Sequence, residues 1–350
     1  MATEDAARVN GAPASGPAAR GRGAQPAPPV VFAVIPVFNR LAFTRECIGQ
    51  LKRQTYRPLR IVVVDGGSTD GTVEAVRSEH PDVTVLASDS ELWWGGAMAA
   101  GIDFALAQSR SEHDCVLMMN NDTLIPEDYV EQLLQASREH DAAVGPLTVD
   151  SRDPARIVDA GAWLDWQSYT FNASTQVAPG ERFRDGVDVL PGRGSLVPVR
   201  MIRVAGNVDA RMLPHYLGDY EFFYRVRKSG FRLGVCFDTR LSAHLAETGI
   251  VRDAGATGFA RVWGEMFSRR SSANVVDHWR FAARHAPARA RLRVRILLVC
   301  RVVHNFAFRT ALRVVSVPIR WCWHTALRAV RAVPTIAWRL AEGFKRRFDA

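Results

Sequence analysis

Four short, mostly apolar runs, each followed by polar residues, constrain this chain more than any other feature. They cover residues 30–37, 61–64, 83–86 and 115–119. Runs of this length that do not alternate with polar residues suit strands buried on both faces. Helical patterns lie between and after them, over 41–54, 70–79, 95–107 and 127–139. Strands alternating with helices predict an α/β fold, a mostly parallel sheet flanked by helices. Beyond Val144 the alternation weakens. The stretch holding Trp163, Trp166 and Tyr169, followed by Gly192-Arg193-Gly194, suggests loops and edge strands. Order resumes with a helix over 219–229 and a strand over 231–237, and the compact domain is expected to span 30–280. No repeat of fixed period is present.

The chain has 350 residues and 47% hydrophobic content, enough for one large domain. Its net charge of +9 is unevenly spread. Residues 281–350 hold 15 Lys/Arg against two acids, or +13, which leaves 9 − 13 = −4 for the first 280. A mildly acidic body is joined to a basic, helix-patterned extension over 281–350, which points to an anionic partner. Residues 1–29 are rich in Ala, Gly, Pro and Arg and are expected to be disordered. The five cysteines (Cys47, Cys115, Cys236, Cys300, Cys322) have no metal-like spacing and read as reduced, mostly buried thiols of a cytoplasmic protein. The amino terminus lacks the charged start and apolar stretch of a signal peptide, and no apolar window is long enough to span a bilayer.

In an open parallel sheet, ligands bind beyond the carboxyl ends of the strands. The residues there are Asn39 and Arg40 after the first run, and Asp65-Gly66-Gly67-Ser68-Thr69-Asp70-Gly71 after the second. Residues 89–96 follow the third run, and Asn120-Asn121-Asp122 the fourth. A dinucleotide fold needs GxGxxG after the first strand, and Pro36-Val37-Phe38-Asn39-Arg40 is not that. The Gly-rich turn after Asp65 offers N–H groups to a polar ligand, or serves as a turn capped by Ser68 or Thr69. Asn120-Asn121-Asp122 presents one carboxylate and two amides. It either caps the next helix or holds a hard cation that also binds substrate oxygens, as a diphosphate supplies.

In order, Val34-Ile35-Pro36-Val37-Phe38-Asn39, Val63-Val64-Asp65-Gly66-Gly67-Ser68-Thr69-Asp70 and Asn120-Asn121-Asp122-Thr123 resemble glycosyltransferase family 2, with its GT-A fold. Leu92-Trp93-Trp94-Gly95-Gly96, Gly192-Arg193-Gly194-Ser195 and Gly218-Asp219-Tyr220-Glu221 resemble its rhamnosyltransferase-like branch. The resemblance covers about residues 30–250. It implies an inverting, metal-dependent transfer of a sugar from a nucleotide-sugar to a hydroxyl acceptor. Asp65 would hold the nucleoside, and Asp122, supported by Asn120, would be the principal ligand of Mg²⁺ or Mn²⁺, with His244 completing the site. Asp219 would be the general base. Pro36, Asn39, Trp93, Trp94, Gly95, Asn121 and Arg193 would line the nucleotide-sugar site. The sequence departs from the family pattern at Gly66 and Gly218, where the resemblance implies an acid in many relatives, and its DXD-type motif is thinned to Asn120-Asn121-Asp122.

dTDP-rhamnose is the expected donor, with UDP-galactofuranose as the rival and an inactive GT-A scaffold at the membrane as the non-catalytic alternative. In the extension, Arg291, Arg295, Arg309 and Arg313 share one helical arc, away from Leu298, Val299, Val302 and Phe306, and Pro318 and Pro334 divide the segment. With Trp321, Trp323 and Trp338, residues 289–347 suit an anionic membrane surface rather than nucleic acid. The expected protein is peripheral on the inner face of the cell membrane, with a glycan or polyprenyl-linked acceptor. Packing of this extension on the body or on a second copy is the other reading.

Overall fold

The structure, a computed structural model, describes residues 27–88, 92–245 and 259–311, without the side chains of 259–262 and 307–311. Nearly all of the segment expected to be disordered, residues 89–91, and everything beyond Ala311, including Cys322 and both dividing prolines, lie outside the described residues.

The four apolar runs form β1 (Val31–Val37), β2 (Leu59–Asp65), β3 (Thr84–Ala87) and β4 (Cys115–Met118). Between and after them lie α1 (Leu41–Lys52), α2 (Thr72–Glu79), α3 (Trp93–Gln108) and α4 (Tyr129–His140). β4 and β3 are at either end of a parallel block in the order β4-β1-β2-β3. Residues of β1 alternate between two cores. Val31, Ala33, Ile35 and Val37 join one cluster with α1 and α4, while Phe32 and Val34 join another with α3. Burial on both faces is why the runs of β1, β2 and β4 carry no polar alternation. β3, at the end of the sheet, is only half-buried and holds Thr84.

Beyond Val144 the sheet continues where loops and edge strands were expected. β6 (Ala142–Asp150) and the short β11 (Ser195–Pro198) are interior strands, and β11 lies between β4 and β6, antiparallel to both. Four residues between a Gly-rich loop and a helix carry too little periodicity to be seen in sequence. β12 (Arg232–Ala243) runs parallel to β6 and extends past the expected 237 through an irregularity between Cys236 and Arg240. β10 (Phe183–Asp185) pairs with β12 at the edge, β7 (Ile157–Asp159) pairs with β6, and β5 (Thr123–Leu124) pairs with the end of β12. A separate hairpin, β8 (Ala162–Asp165) and β9 (Thr170–Ala173), accounts for the aromatic stretch. α5 (Val199–Ala205) and α6 (Gly218–Lys228) cover the α3 face.

The boundary expected at residue 280 falls inside a helix. α7 (Phe259–Phe267), α8 (Val275–His285) and α9 (Ala288–Ala311) follow one another, and Phe281, Val294 and Leu298 are buried in a third cluster with Tyr169 and Tyr224. The first part of the extension is therefore packed on the body, as its alternative reading had it. Cys47, Cys115 and Cys236 are buried free thiols, and burial pushes Cys47 and Cys115 up to about 12. Among the described residues, no helix is long and apolar enough to cross a membrane.

Candidate active site

Strand direction gathers the site. β1, β2 and β4 end at one edge of the sheet. Antiparallel β11 begins there, so Gly192-Arg193-Gly194 arrives beside Met118 and Asn120, with the Gly194 N–H donating to the Met118 carbonyl at 2.6 Å. The pairing of β5 with β12 sets Thr123 opposite Ala243, and the His244 N–H donates to the Asp122 carbonyl at 3.3 Å. A cleft of about 740 Å³ opens at this edge.

Pro36, Trp93, Trp94, Asn120, Asn121, Asp122, Arg193 and Asp219 all line the cleft. Four other expected site residues do not line it. Asp65 is buried, its carboxylate accepting from the Gly67 and Ser68 N–H groups at 3.0 and 2.9 Å and from the Ser68 hydroxyl. Ser68 thus serves Asp65 instead of capping α2. The Asn39 amide oxygen accepts from the Thr69 N–H at 2.9 Å, clipping the first loop to the second. Gly95 donates its N–H to the Pro214 carbonyl at 2.8 Å, and a Cβ there would meet that oxygen. The His244 ring packs on Phe43, with its Nδ1 3.0 Å from the Ser151 hydroxyl.

Trp94 is the central wall. Its indole N–H donates to the Asn120 side-chain oxygen at 2.9 Å. Its ring lies so close to Gly192 that a Cβ there would come within 2.3 Å. A Cβ added at Gly218 would come within 3.0 Å of the Leu213 carbonyl and 3.8 Å of the same indole. Steric fit to Trp94 and the Leu213 backbone thus explains both glycines.

Asp219 opens α6. One carboxylate oxygen accepts from the Gly192 N–H at 2.7 Å and the other from the Tyr220 N–H at 2.9 Å. Burial raises its pKa above the usual carboxylate value, opposed by those two bonds and by Arg193. Asp159 shares the cleft and is also raised by burial, against the Gly161 N–H and Arg193 and with Asp219 adding to the rise. Tyr220 is pushed up by burial and by both carboxylates. Across the cleft, His215 lies against Trp93 and Tyr216, and burial lowers its pKa to about 4. Arg270 sits 5.6 Å over the Trp93 ring. Asp159, His215 and Arg270 escaped the sequence reading, since β7 has three residues and the other two lie in loops, and Tyr220 was seen only as part of the motif around Asp219.

Asp122 is buried, and one of its oxygens pairs with Arg40 at 3.2 Å. The Asn121 amide nitrogen donates to the Thr44 hydroxyl at 3.1 Å. Among the described residues, no three His, Cys, Asp or Glu side chains cluster to hold a metal. The donor set instead suits a hard cation that takes one carboxylate from the protein and the remaining oxygens from a diphosphate.

Residues 32–188 match the sequence profile described as Glycosyl transferase family 2. Glycosyltransferase GlyG of Streptococcus pneumoniae is 28% identical over 33% of this chain and 37% of its own length. The chain thus spans little more than a third of that relative. Galactofuranosyltransferase GlfT1 of Mycolicibacterium smegmatis is 27% identical over 59% of this chain and 68% of its own. The structure is similar to that of mannosyltransferase PcManGT from Pyrobaculum calidifontis in complex with GDP-Man and Mn²⁺. The TM-score is 0.52 at 20% identity, over 89% of this chain and 83% of that one. The chain carries a domain of glycosyltransferase family 2, built on the GT-A fold.

Proposed function

We propose that this chain is an inverting, metal-dependent glycosyltransferase that moves rhamnose from dTDP-rhamnose to a hydroxyl acceptor, a glycan or polyprenyl-linked sugar at an anionic membrane surface. The observation that carries the reading is the pairing of Asp122 and Asp219 in one cleft, walled by Trp94 and Arg193.

Asp219 accepts the acceptor's hydroxyl proton on a carboxylate oxygen. The acceptor oxygen bonds to the anomeric carbon from the face opposite the diphosphate, whose oxygen leaves with the electron pair. The N–H groups of Gly192 and Tyr220 fix the carboxylate in place. Its raised pKa brings it closer to neutral pH, where a general base works best. Asp122, supported by Asn120 and with His244 beside its backbone, is the residue to hold Mg²⁺ or Mn²⁺, which supplies charge neutralisation of the diphosphate. Arg193 suits paired phosphate or sugar oxygens. Trp93 and Trp94 offer faces to a sugar ring. Asp65 and Asn39 shape the loops at the nucleoside end instead of touching the ligand.

A second donor, UDP-galactofuranose, is favoured by the similarity to GlfT1, which extends over more than half of this chain. Product analysis after incubation with each donor and a hydroxyl acceptor, in the presence of Mn²⁺, tests the reading. One donor is expected to give a glycoside of inverted anomeric configuration. Retained configuration would exclude the single-displacement route.

A further inference from the structure

α9 has two apolar faces, and the body covers one of them. Ala290, Val294 and Leu298 are buried in the third cluster. On the opposite side Leu292, Ile296, Val299 and Val303 are 71, 42, 55 and 60% exposed. At 3.6 residues per turn these four fall within an arc of about 60°. Arg289 and Arg293 border that arc on one side, and Arg291 and Arg295 on the other. The surface continues onto both neighbouring helices. Trp279 of α8 is 41% exposed, with Arg295 5.5 Å above its ring, and Trp263 of α7 is 52% exposed against Phe306. This differs from the arrangement read from sequence, where Leu298 and Val299 shared one apolar side.

We propose that this stripe seats the protein on an anionic lipid bilayer. Leu292, Ile296, Val299, Val303 and the two tryptophans would enter the headgroup boundary, with the arginines against lipid phosphates. An apolar stripe edged by cations and exposed indoles matches what an interfacial helix presents. Charge separates this occupant from the others. α9 has no Asp or Glu, so a second copy docked by two-fold symmetry would set arginines against arginines. The rest of the chain, 312–350, holds eight Lys/Arg and two acids, 8 − 2 = +6, and is repelled likewise. A bilayer with acidic headgroups supplies the missing negative charge. The stripe also lies near the cleft. Trp263 and cleft-lining Arg270 are seven residues apart, at most about 25 Å of chain. Under the proposed activity, a lipid-borne acceptor would thus be presented close to the cleft mouth.

The test uses the full chain and vesicles of phosphatidylcholine, alone or mixed with phosphatidylglycerol. The protein should pellet with the mixed vesicles only, and less as salt rises. The triple variant Leu292→Ser, Ile296→Ser, Val299→Ser should lose on the order of tenfold or more in partitioning. Arg289→Gln, Arg293→Gln, Arg295→Gln should weaken binding and flatten its salt dependence. Calorimetric nucleotide-sugar binding, measured on the same samples, should be unchanged in both variants, which checks their fold. Vesicle binding equal to wild type in the apolar variant overturns the proposal. So does a wild-type dimer, seen by light scattering, that the apolar variant converts to monomer without any vesicle binding. Stripe binding without any donor binding would sink the transferase reading and leave this one standing.

Discussion

Asp219 and Glu221 stand two residues apart on the first turn of α6 and face different tasks. Asp219 looks into the cleft, and its pKa is raised by burial. Activity should therefore fall with acidification at a pH above the ordinary carboxylate value, as the base becomes protonated. Asp219→Asn should lower kcat about 10²–10⁴-fold and abolish that acid limb while leaving donor affinity in place. A steady-state pH profile of both proteins reads this, and an unchanged limb in the variant would assign the base elsewhere. Gly192→Ala should be nearly as informative, because its Cβ would collide with the Trp94 ring. We expect a stability loss of about 1–3 kcal/mol by urea titration, with reduced activity.

At the scale of elements, Glu221 ties α6 to α8. It is buried, accepts from Arg225 at 2.9 Å and from the His285 ring at 2.9 Å, and lies 3.3 Å from Arg284. Burial alone pushes its carboxyl up, but the His285 hydrogen bond and the Arg225 charge hold it below its ordinary value. A depressed folded pKa stabilises above the unfolded value of about 4.3, and the contribution is lost as pH falls through the folded one. Glu221→Gln should thus cost about 3–5 kcal/mol at neutral pH, and the gap to wild type should narrow below about pH 4. Phe281→Ala in the same junction should cost about 3–5 kcal/mol, as a buried ring is lost. A cost near zero would show that the chain from Phe281 onward is not held by the body.

At the scale of the molecule, the parallel half of the sheet was legible because β1, β2 and β4 are buried on both faces and end abruptly in polar residues. So was the clustering of Asp122, Asp219, Trp94 and Arg193, since sheet edges gather loops. β11 was not legible, and with it the reason Arg193 reaches the cleft, because a four-residue interior strand gets its partners from the whole sheet rather than from its own pattern. Burial of Asp65 was hidden for a similar reason. A carboxylate after a strand reads the same whether it faces a ligand or cages its own turn. The charge and amphipathic pattern of the basic extension leave membrane binding and docking both open, because Phe281, Val294 and Leu298, which dock it, are spread among arginines.

Under the proposed function, the nucleotide-sugar binds through a metal ion that Asp122 holds. Calorimetry with a panel of nucleotide-sugars, with and without Mn²⁺, on wild type and Asp122→Ala tests it most directly. Binding of one donor that requires Mn²⁺ and disappears in Asp122→Ala is the predicted result. Metal-dependent binding that survives the substitution, or no binding of any donor with the metal present, would contradict it.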